Sequence, residues 1–261
     1  LYNCAACKIS DNIGDDIAGL MDCLMLGVGV GFSPIRNDNL QIYNNERSYE
    51  NIIPDSREGW VDSVKQQIDS YLYNKPYPIH NYSLIRKAGT PIKSFGGICS
   101  GPESLQKFHE FIDKCFYRYK NELSYDSVRL KIDLANACGI CVVAGNVRRS
   151  AELACLSIKD PIFMDLKNYE KYPDRQAIGW MSNNSVILED LEDFDKLGEI
   201  ASRIISNGEP GYANKKNLKY GRLGKYEDKI KEDKAELFNP CLVQSTKLLT
   251  KKGIRNLEDV N

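Results

Sequence analysis

Cysteines are the residues of this 261-residue sequence best suited to redox or metal chemistry, and there are nine of them. Four form two C-x-x-C pairs, Cys4 with Cys7 and Cys138 with Cys141. Together the pairs could offer Zn²⁺ four thiolates in a tetrahedral site. The second pair lies in the apolar stretch ANACGICVVAG, where buried thiols that pack as small hydrophobic groups are expected. A thioredoxin-type dithiol opens a helix, which neither pair is predicted to do.

Glycine-rich runs and a pair of arginines indicate contact with a phosphate or a sugar. The runs are GVGVGF (27–32), FGGICSGP (95–102) and NGEPGY (207–212). Glycine lets backbone N–H groups approach such a ligand, although tight turns require it equally. No run continues into G-K-[ST], which excludes a P-loop. Arg148 and Arg149 stand beside Gly145 and Asn146, where they suit a phosphate or carboxylate, or else pair with surface acids such as Glu152.

The elements that must position these residues alternate along the chain. Apolar residues recurring every three or four positions predict helices over 15–26, 60–72, 105–119, 128–135 and 194–205. Asp55 or Ser56 would cap the second helix, and Ser124 or Ser127 would start the fourth. Short apolar runs predict strands near Cys4 and over 28–33, 141–144, 152–158, 177–181 and 185–188. This alternation is typical of an α/β domain with parallel strand pairing. Residues 214–236 read as a solvated helix or a long loop.

Composition narrows the classes of function. The net charge of -1 gives no electrostatic basis for binding nucleic acid or an anionic membrane, and we expect neither as a partner. No apolar run reaches the roughly 20 residues that span a bilayer, and no secretory signal opens the sequence. Cysteines in a chain without an export signal indicate a reducing, cytoplasmic location. The two histidines, His80 and His109, are isolated in the sequence, so neither is assigned to catalysis.

Eight segments occur in an order that is similar to one enzyme family: LYNCAAC, LMLGVGVGFS, PDSREGWVDS, IRKAGTPIKSFGGICSGPESL, CVVAGNVRRSAEL, MSNNSV, NGEPGYAN and FNPC. In this order they resemble adenosylcobalamin-dependent (class II) ribonucleotide reductases, above all the monomeric type that reduces ribonucleoside triphosphates to deoxyribonucleotides. The likeness covers residues 1–241. It implies a ten-stranded α/β barrel made of two parallel half-sheets. Residues 1–240 would form the first half-barrel, a fragment that we expect to be inactive alone.

The resemblance also implies the catalytic residues. In the family a radical from adenosylcobalamin passes to a cysteine in a finger loop inside the barrel, and Cys241 of FNPC occupies that position. Asn239 resembles the asparagine that hydrogen-bonds the substrate. Cys4 resembles one member of the cysteine pair that delivers two electrons, and its partner would lie beyond Asn261. Thioredoxin or a similar dithiol would then reset the pair by thiol–disulfide exchange.

The binding residues implied by the resemblance fall into two groups. Substrate-pocket loops of the family are similar to the SGP turn, Ser100, Gly101 and Pro102, and to the SNNS segment, which contributes Ser182, Asn183 and Asn184. Loops through which a deoxynucleotide effector sets base preference are similar to two further segments. They contain Arg86, Gly89 and Thr90 in the first and Gly145, Asn146, Arg148 and Arg149 in the second.

The sequence departs from the family after FNPC. The family continues with a small residue and then Glu-Ile, whereas this chain continues LVQST without an acid. Residues 241–261 instead resemble the opening of an intein, with a hairpin predicted around Lys251-Lys252-Gly253. Cys241 would then be the splice nucleophile, attacking the carbonyl of Pro240 in an N-to-S acyl shift. A divergent reductase terminus, and a nucleotide-binding or zinc-binding module without catalysis, remain the alternatives.

Overall fold

Helices and strands alternate along the computed structural model, which describes residues 3–44, 46–92, 98–144, 150–216, 236–240, 247–250 and 253–256. The α-helices are α1 (Ile13–Met25), α2 (Arg57–Tyr73), α3 (Glu103–Asn121), α4 (Ser127–Val143) and α5 (Leu197–Asn207). The strands are β1 (Cys4–Ile9), β2 (Gly29–Pro34), β3 (Ser48–Ile52), β4 (Tyr77–Asn81), β5 (Glu152–Ser157), β6 (Ser182–Leu188), β7 (Gly211–Asn214), β8 (Lys247–Thr250) and β9 (Gly253–Asn256).

The main sheet is five-stranded and wholly parallel, in the order β1-β2-β5-β6-β7. Parallel neighbours need crossover connections, and helices α1 and α4 lie in two of them. The predicted α/β class with parallel pairing is therefore confirmed. Five strands is the number expected of one half-sheet, while the complete ten-stranded barrel stays a prediction.

Successive residues of a strand point to opposite faces, which gives this sheet two different surfaces. The helix face packs against α1 and α4 through Ile9, Val30, Phe32, Ala154 and Val186, each at most 1% exposed. The opposite surface, called the open face below, is covered in part by residues 237–238. Its residues include Cys4, Ala6, Lys8, Gly29, Gly31, Leu153, Cys155, Asn183, Ser185 and Ile187.

Two small sheets lie apart from the main one. Strands β3 and β4 pair in parallel, and β4 packs on helix α2, which in turn packs on α1. Neither β3 nor β4 was predicted from the sequence. Strands β8 and β9 pair antiparallel, with Thr250 opposite Gly253. The hairpin expected around residues 251–253 is thus present, which by itself does not test the intein assignment.

Helix ends follow the expected capping chemistry. Ser56 caps α2, its side chain accepting from the Gly59 N–H at 3.0 Å. Gly208 ends α5 with a φ of +78°, a conformation that favours glycine. Helix α4 is capped by Asp126, which accepts from the Arg129 N–H at 2.9 Å. The helix begins at Ser127, one of the two predicted starts.

Two strand predictions are wrong. Residues 141–143 continue helix α4 rather than forming a strand, because a fully buried helix shows the same unbroken apolar run as a buried strand. Residues 177–181 contain a 3-10 turn, Gly179–Met181, that leads directly into β6. The SNNS segment is correspondingly the start of a strand rather than a loop.

Candidate active site on the open face of the sheet

Cys4 and Cys7 lie on opposite faces of β1. Cys4 is the first residue of the strand and stands on the open face beside Gly29, with which it pairs. Cys7 packs toward the helices, and burial raises the pKa of its thiol to about 12, so it stays protonated and weakly nucleophilic. A strand separates residues i and i+3 in this way, so the two sulfurs cannot chelate one metal ion.

The second C-x-x-C pair belongs to the core. Cys138 and Cys141 lie on helix α4 and are at most 3% exposed. Burial raises the pKa of Cys141 to about 12 and that of Cys138 well above its usual value. Across the described ranges, no group of three or more His, Cys, Asp or Glu side chains is arranged to hold a metal ion. The interpretation of Cys138 and Cys141 as core thiols is therefore supported by their burial.

Asn239 lies against the middle of the open face. A Cβ atom added at Gly31 would overlap the carbonyl oxygen of Phe238 and lie 3.1 Å from Cα of Asn239. Leu237 and Phe238 pack on Leu153 and the apolar residues beside it. Only glycine at position 31 allows the chain to approach the sheet so closely. Asn239 is thus held over β2.

The structure brings Cys4 and Asn239 to the same surface although 235 positions separate them in the sequence. Cys4 pairs with Gly29, which is two residues before Gly31 on the same face of β2. Lys8, also on this face of β1, forms an ion pair with Glu236 that anchors the start of the 236–240 segment. Both predicted catalytic residues therefore lie on the open face: Cys4 stands beside Gly29 of β2, and Asn239 lies over Gly31, two residues farther along the same strand.

Asn183 is the residue of the SNNS segment whose exposed side chain shares this surface. It pairs in register with Leu153, which pairs in turn with Gly31. Ser182 and Asn184 point to the helix face and are at most 1% exposed; Ser182 Oγ donates to Asn184 Oδ1 at 3.1 Å. Of the three residues predicted to bind substrate here, Asn183 alone can meet a ligand on the open face.

A chain of buried polar side chains underlies the site on the helix face. Arg175 donates to Asp133 Oδ1 at 2.7 Å and to Asn136 Oδ1 at 3.1 Å, and Asn136 Nδ2 donates to Glu152 Oε2 at 3.1 Å. Burial raises the pKa of Glu152 to about 8, because the ionised form loses its hydration. A Cβ added at Gly139 would lie 2.5 Å from Glu152 Oε1, so glycine leaves the room that this carboxyl occupies. Glu152 is therefore mainly protonated at neutral pH and is not the surface acid considered for Arg148 and Arg149.

The predicted residues at 86–90 and 100–102 lie on the other side of the sheet, in the helical layer. The turn at 86–90 meets the SGP turn: the Gly89 N–H donates to the Cys99 carbonyl at 3.0 Å, and Gly101, with a φ of +78°, lies against Ala88. Arg86 Nε donates to Asp55 at 2.5 Å, and Thr90 Oγ1 donates to the Lys87 carbonyl at 2.7 Å. The segments assigned to substrate (100–102) and effector (86–90) are thus neighbours.

A cavity of about 400 Å³ opens beside these turns, between α3 and α4. Ser100, Glu103 and Lys107 give it a polar rim, and Phe108 and Phe111 provide aromatic walls. Ala144, which directly precedes the predicted effector residues 145–149, also lines it. Gly145, Asn146, Arg148 and Arg149 lie outside the described residues, as does Cys241.

Some features of the site escaped sequence reasoning. One sequence feature could have predicted the burial of Glu152. It is the first residue of an otherwise mainly apolar strand, ELACLS, and an acid in that position indicates a carboxyl group that enters the core. The stacking of His80 on His109 and the contacts of Lys167 with the start of β6 have no such signal, because they join remote segments.

Comparison with known proteins assigns the chain to a family. A family model described as the insertion domain of B12-dependent ribonucleotide reductases matches residues 33–115. The probable adenosylcobalamin-dependent ribonucleoside-triphosphate reductase of Dictyostelium discoideum is 39% identical over 94% of this chain and 35% of its own length. The adenosylcobalamin-dependent ribonucleoside-triphosphate reductase of Euglena gracilis is 38% identical over 94% of this chain and 34% of its own. The chain belongs to the class II ribonucleotide reductase family.

A solved structure of a B12-dependent (class II) ribonucleotide reductase has the same fold as this reductase segment. The TM-score is 0.63 at 24% identity, over 83% of the segment and 37% of the solved chain. The segment spans about a third of the length of the curated relatives named above. Along the described residues, none of its helices combines the length and apolar character needed to cross a membrane.

The relatives are named for adenosylcobalamin, and the cavities of this reductase segment can be tested for its fit. The cavity between α3 and α4 measures about 400 Å³, and one at the carboxyl ends of β1, β2 and β5 about 310 Å³. Drug-sized ligands fill roughly 300–1,000 Å³, and a corrin with its adenosyl and nucleotide arms is larger than such ligands. Neither cavity fits the whole cofactor, so no step below is assigned to it within these residues.

Proposed function

We propose that the protein containing this segment reduces ribonucleoside triphosphates to 2′-deoxyribonucleotides in an adenosylcobalamin-dependent reaction. The observation that carries the proposal is the placement of Cys4 and Asn239 on one face of a parallel sheet, with Asn239 held over Gly31. The names of the relatives support the same activity. The radical chemistry that starts the reaction would require residues outside those described here.

The residues of this segment would bind the ribose and supply reducing equivalents. The side-chain amides of Asn239 and Asn183 can each donate and accept hydrogen bonds, which suits ribose hydroxyl groups. Replacing the 2′-hydroxyl by hydrogen releases water and consumes two electrons and two protons. Two cysteine thiols supply both as they join in a disulfide, and Cys4 would be one of the two. A dithiol such as thioredoxin would then reduce that disulfide by exchange.

The cavity between α3 and α4 is the proposed site of a deoxynucleotide effector. Its aromatic walls suit a base, and Lys107 offers a positive charge for a phosphate. The turn at 86–90 contacts the SGP turn at its rim, and residue 144 leads from its wall toward residues 145–149. We therefore place Ser100, Gly101 and Pro102 with the effector site rather than with the substrate.

Adenosylcobalamin-dependent reduction of CTP by the complete protein tests this function, with thioredoxin or dithiothreitol as reductant. Cys4→Ser should abolish turnover, because a hydroxyl cannot form the disulfide. Cys7→Ser is the matched control on the opposite face of the same strand and should retain turnover. A complete protein that ignores the added coenzyme, or equal losses in the two variants, would reject the proposal.

A second function is proposed for residues 241–261, which resemble the start of an intein. The antiparallel pair β8–β9, beginning seven residues after Pro240, supports a separate β-rich unit at this point. Cys241 would attack the Pro240 carbonyl and form a thioester by an N-to-S acyl shift. Hydroxylamine should then cleave the complete precursor between residues 240 and 241, and Cys241→Ala should prevent cleavage. A precursor that hydroxylamine leaves intact would reject this assignment.

A further inference from the structure

Lys167 and Glu209 form a largely buried ion pair at the edge of the sheet where β6 and β7 begin. Lys167 Nζ lies 3.2 Å from Glu209 Oε2, and the two side chains are 6% and 23% exposed. Lys167 belongs to the connection between β5 and β6, and Glu209 lies two residues before β7. Burial lowers the pKa of Lys167, so its placement costs free energy that the surrounding contacts must offset.

The ion pair holds the backbone on both sides of Asn183. Lys167 Nζ donates to the carbonyl oxygen of Ser182 at 2.5 Å and to that of Gly179. Glu209 Oε2 accepts from the backbone N–H of Asn184 at 2.8 Å. The lysine ammonium has three N–H donors, and Ser182, Gly179 and Glu209 offer three acceptors. The peptide groups flanking Asn183 are therefore fixed by side chains from two other segments of the chain.

Fixing these two peptide groups determines the direction of the Asn183 side chain. Asn183 lies on the open face in register with Leu153 and Gly31, while its neighbours point to the helices. Two strand spacings separate it from Gly31, about 10 Å. Asn239 lies over Gly31, so Asn183 and Asn239 lie on the same face of the sheet, with Leu153 between their positions.

We propose that Lys167 and Glu209 are positioning residues that hold the Asn183 amide for hydrogen bonding to the ribonucleoside triphosphate. This inference rests on the proposed function. It adds two residues that do not touch the substrate and act through the backbone of β6. Asn183 itself is the contact residue.

Steady-state kinetics of the complete reductase separate positioning from general support of the fold. Glu209→Ala removes the acceptor for the Asn184 N–H and should raise the KM for CTP about tenfold, with a smaller change in kcat. Glu209→Gln keeps an oxygen that can accept the same hydrogen bond and should hold KM within about threefold of the unsubstituted protein. Rescue by glutamine is not expected if the negative charge alone matters.

A double-mutant cycle tests whether Glu209 acts through Asn183. In an Asn183→Ala background, Glu209→Ala should change KM by less than about twofold, because the group being positioned is absent. Lys131→Met is the matched structural control: Lys131 is 0% exposed, donates to the Ile35 carbonyl at 2.5 Å and pairs with Asp11 at 3.1 Å. It should lower the melting temperature and leave KM unchanged.

The outcomes distinguish this inference from the function on which it rests. An unchanged KM in Glu209→Ala, or additive effects in the double-mutant cycle, would overturn the positioning role and leave the reductase activity standing. An unsubstituted complete protein that neither binds nor reduces CTP would overturn the proposed function and this inference together.

Discussion

The imidazole rings of His80 and His109 stack with their centroids 3.9 Å apart and their planes 16° from parallel. Both rings are held by neutral partners: Tyr82 OH lies 2.7 Å from His109 Nδ1, and Gln67 Oε1 lies 3.1 Å from His80 Nε2. Burial lowers the pKa of His80 to about 4 and that of His109 well below its usual range, where the charge of His80 adds to the effect. The stacked pair is therefore neutral at physiological pH.

The first prediction concerns the pH dependence of stability. Histidine in the unfolded chain has a pKa near 6.5. On acidification the unfolded state therefore binds protons at a pH where the folded pair is still neutral, which favours unfolding. The contribution of the pair is thus complete above pH 6.5 and falls as the pH drops toward 4. Urea midpoints at pH 7.5 and 5.5 should show this loss in the native protein and a smaller one in a His80→Gln, His109→Gln variant. Equal pH dependence in the two proteins would contradict the prediction.

The second prediction concerns Glu152, whose contribution to stability should fall as the pH rises, the opposite of the histidine pair. Its folded pKa of about 8 exceeds the usual 4.5, so its contribution is complete below pH 4.5 and is lost as the pH rises through 8. Glutamine cannot ionise and can still accept from Asn136. Relative to the native protein, the unfolding free energy of Glu152→Gln should therefore rise by about 3 kcal/mol between pH 6 and pH 9. Urea titrations at the two pH values measure it, and a constant difference would disprove it.

The third prediction tests the close approach of chain to sheet at Gly31. Gly31→Ala places a methyl group where the Phe238 carbonyl lies and must displace Asn239. Misplacing a substrate-contacting group by about 1 Å costs on the order of 100-fold in rate, so turnover by the complete protein should fall by that order while circular dichroism stays unchanged. Gly19→Ala is the control, since nothing lies within 4 Å of its added Cβ in helix α1. That variant should keep its activity and gain about 0.5–1 kcal/mol of stability.

The fourth prediction concerns the buried ion pair of Arg175 and Asp133, whose side chains are at most 1% exposed. Arg175→Met leaves the Asp133 carboxyl in the core without this partner, and breaking such a pair costs about 3–5 kcal/mol. Lys159→Met removes a solvent-exposed pair with Asp190, which water screens, and should leave the unfolding free energy almost unchanged. Urea denaturation of the two variants compares the losses. Similar values would show that the network under β5 does not stabilise the fold as argued.

Local patterns in the sequence account for much of the fold. Periodic apolar residues predicted α1, α2, α3 and α5, and short apolar runs predicted β1, β2, β5 and β6, because each signal lies within one element. The apolar run at residues 141–144 was predicted to be a strand. It is the end of α4, which is buried on all sides and therefore lacks the exposed face that would mark a helix in the sequence. Strands β3 and β4 were missed because β3 is mostly exposed, β4 is mostly half-buried, and neither forms a short apolar run.

The sequence by itself determined the α/β class and the order of the motifs, because residue types and their spacing are local properties. Cys4 and Asn239 became candidates through the resemblance that those motifs carry. Only the tertiary structure decided that Cys4 shares the open face with Asn239 while Cys7 faces the helices, and that Asn183 reaches the open face while Ser182 and Asn184 do not. The tertiary structure also shows that the SGP turn lies in the helical layer and not on the open face. Which face a residue takes depends on pairing and packing between segments far apart in the chain, and no pattern within a single segment records that choice.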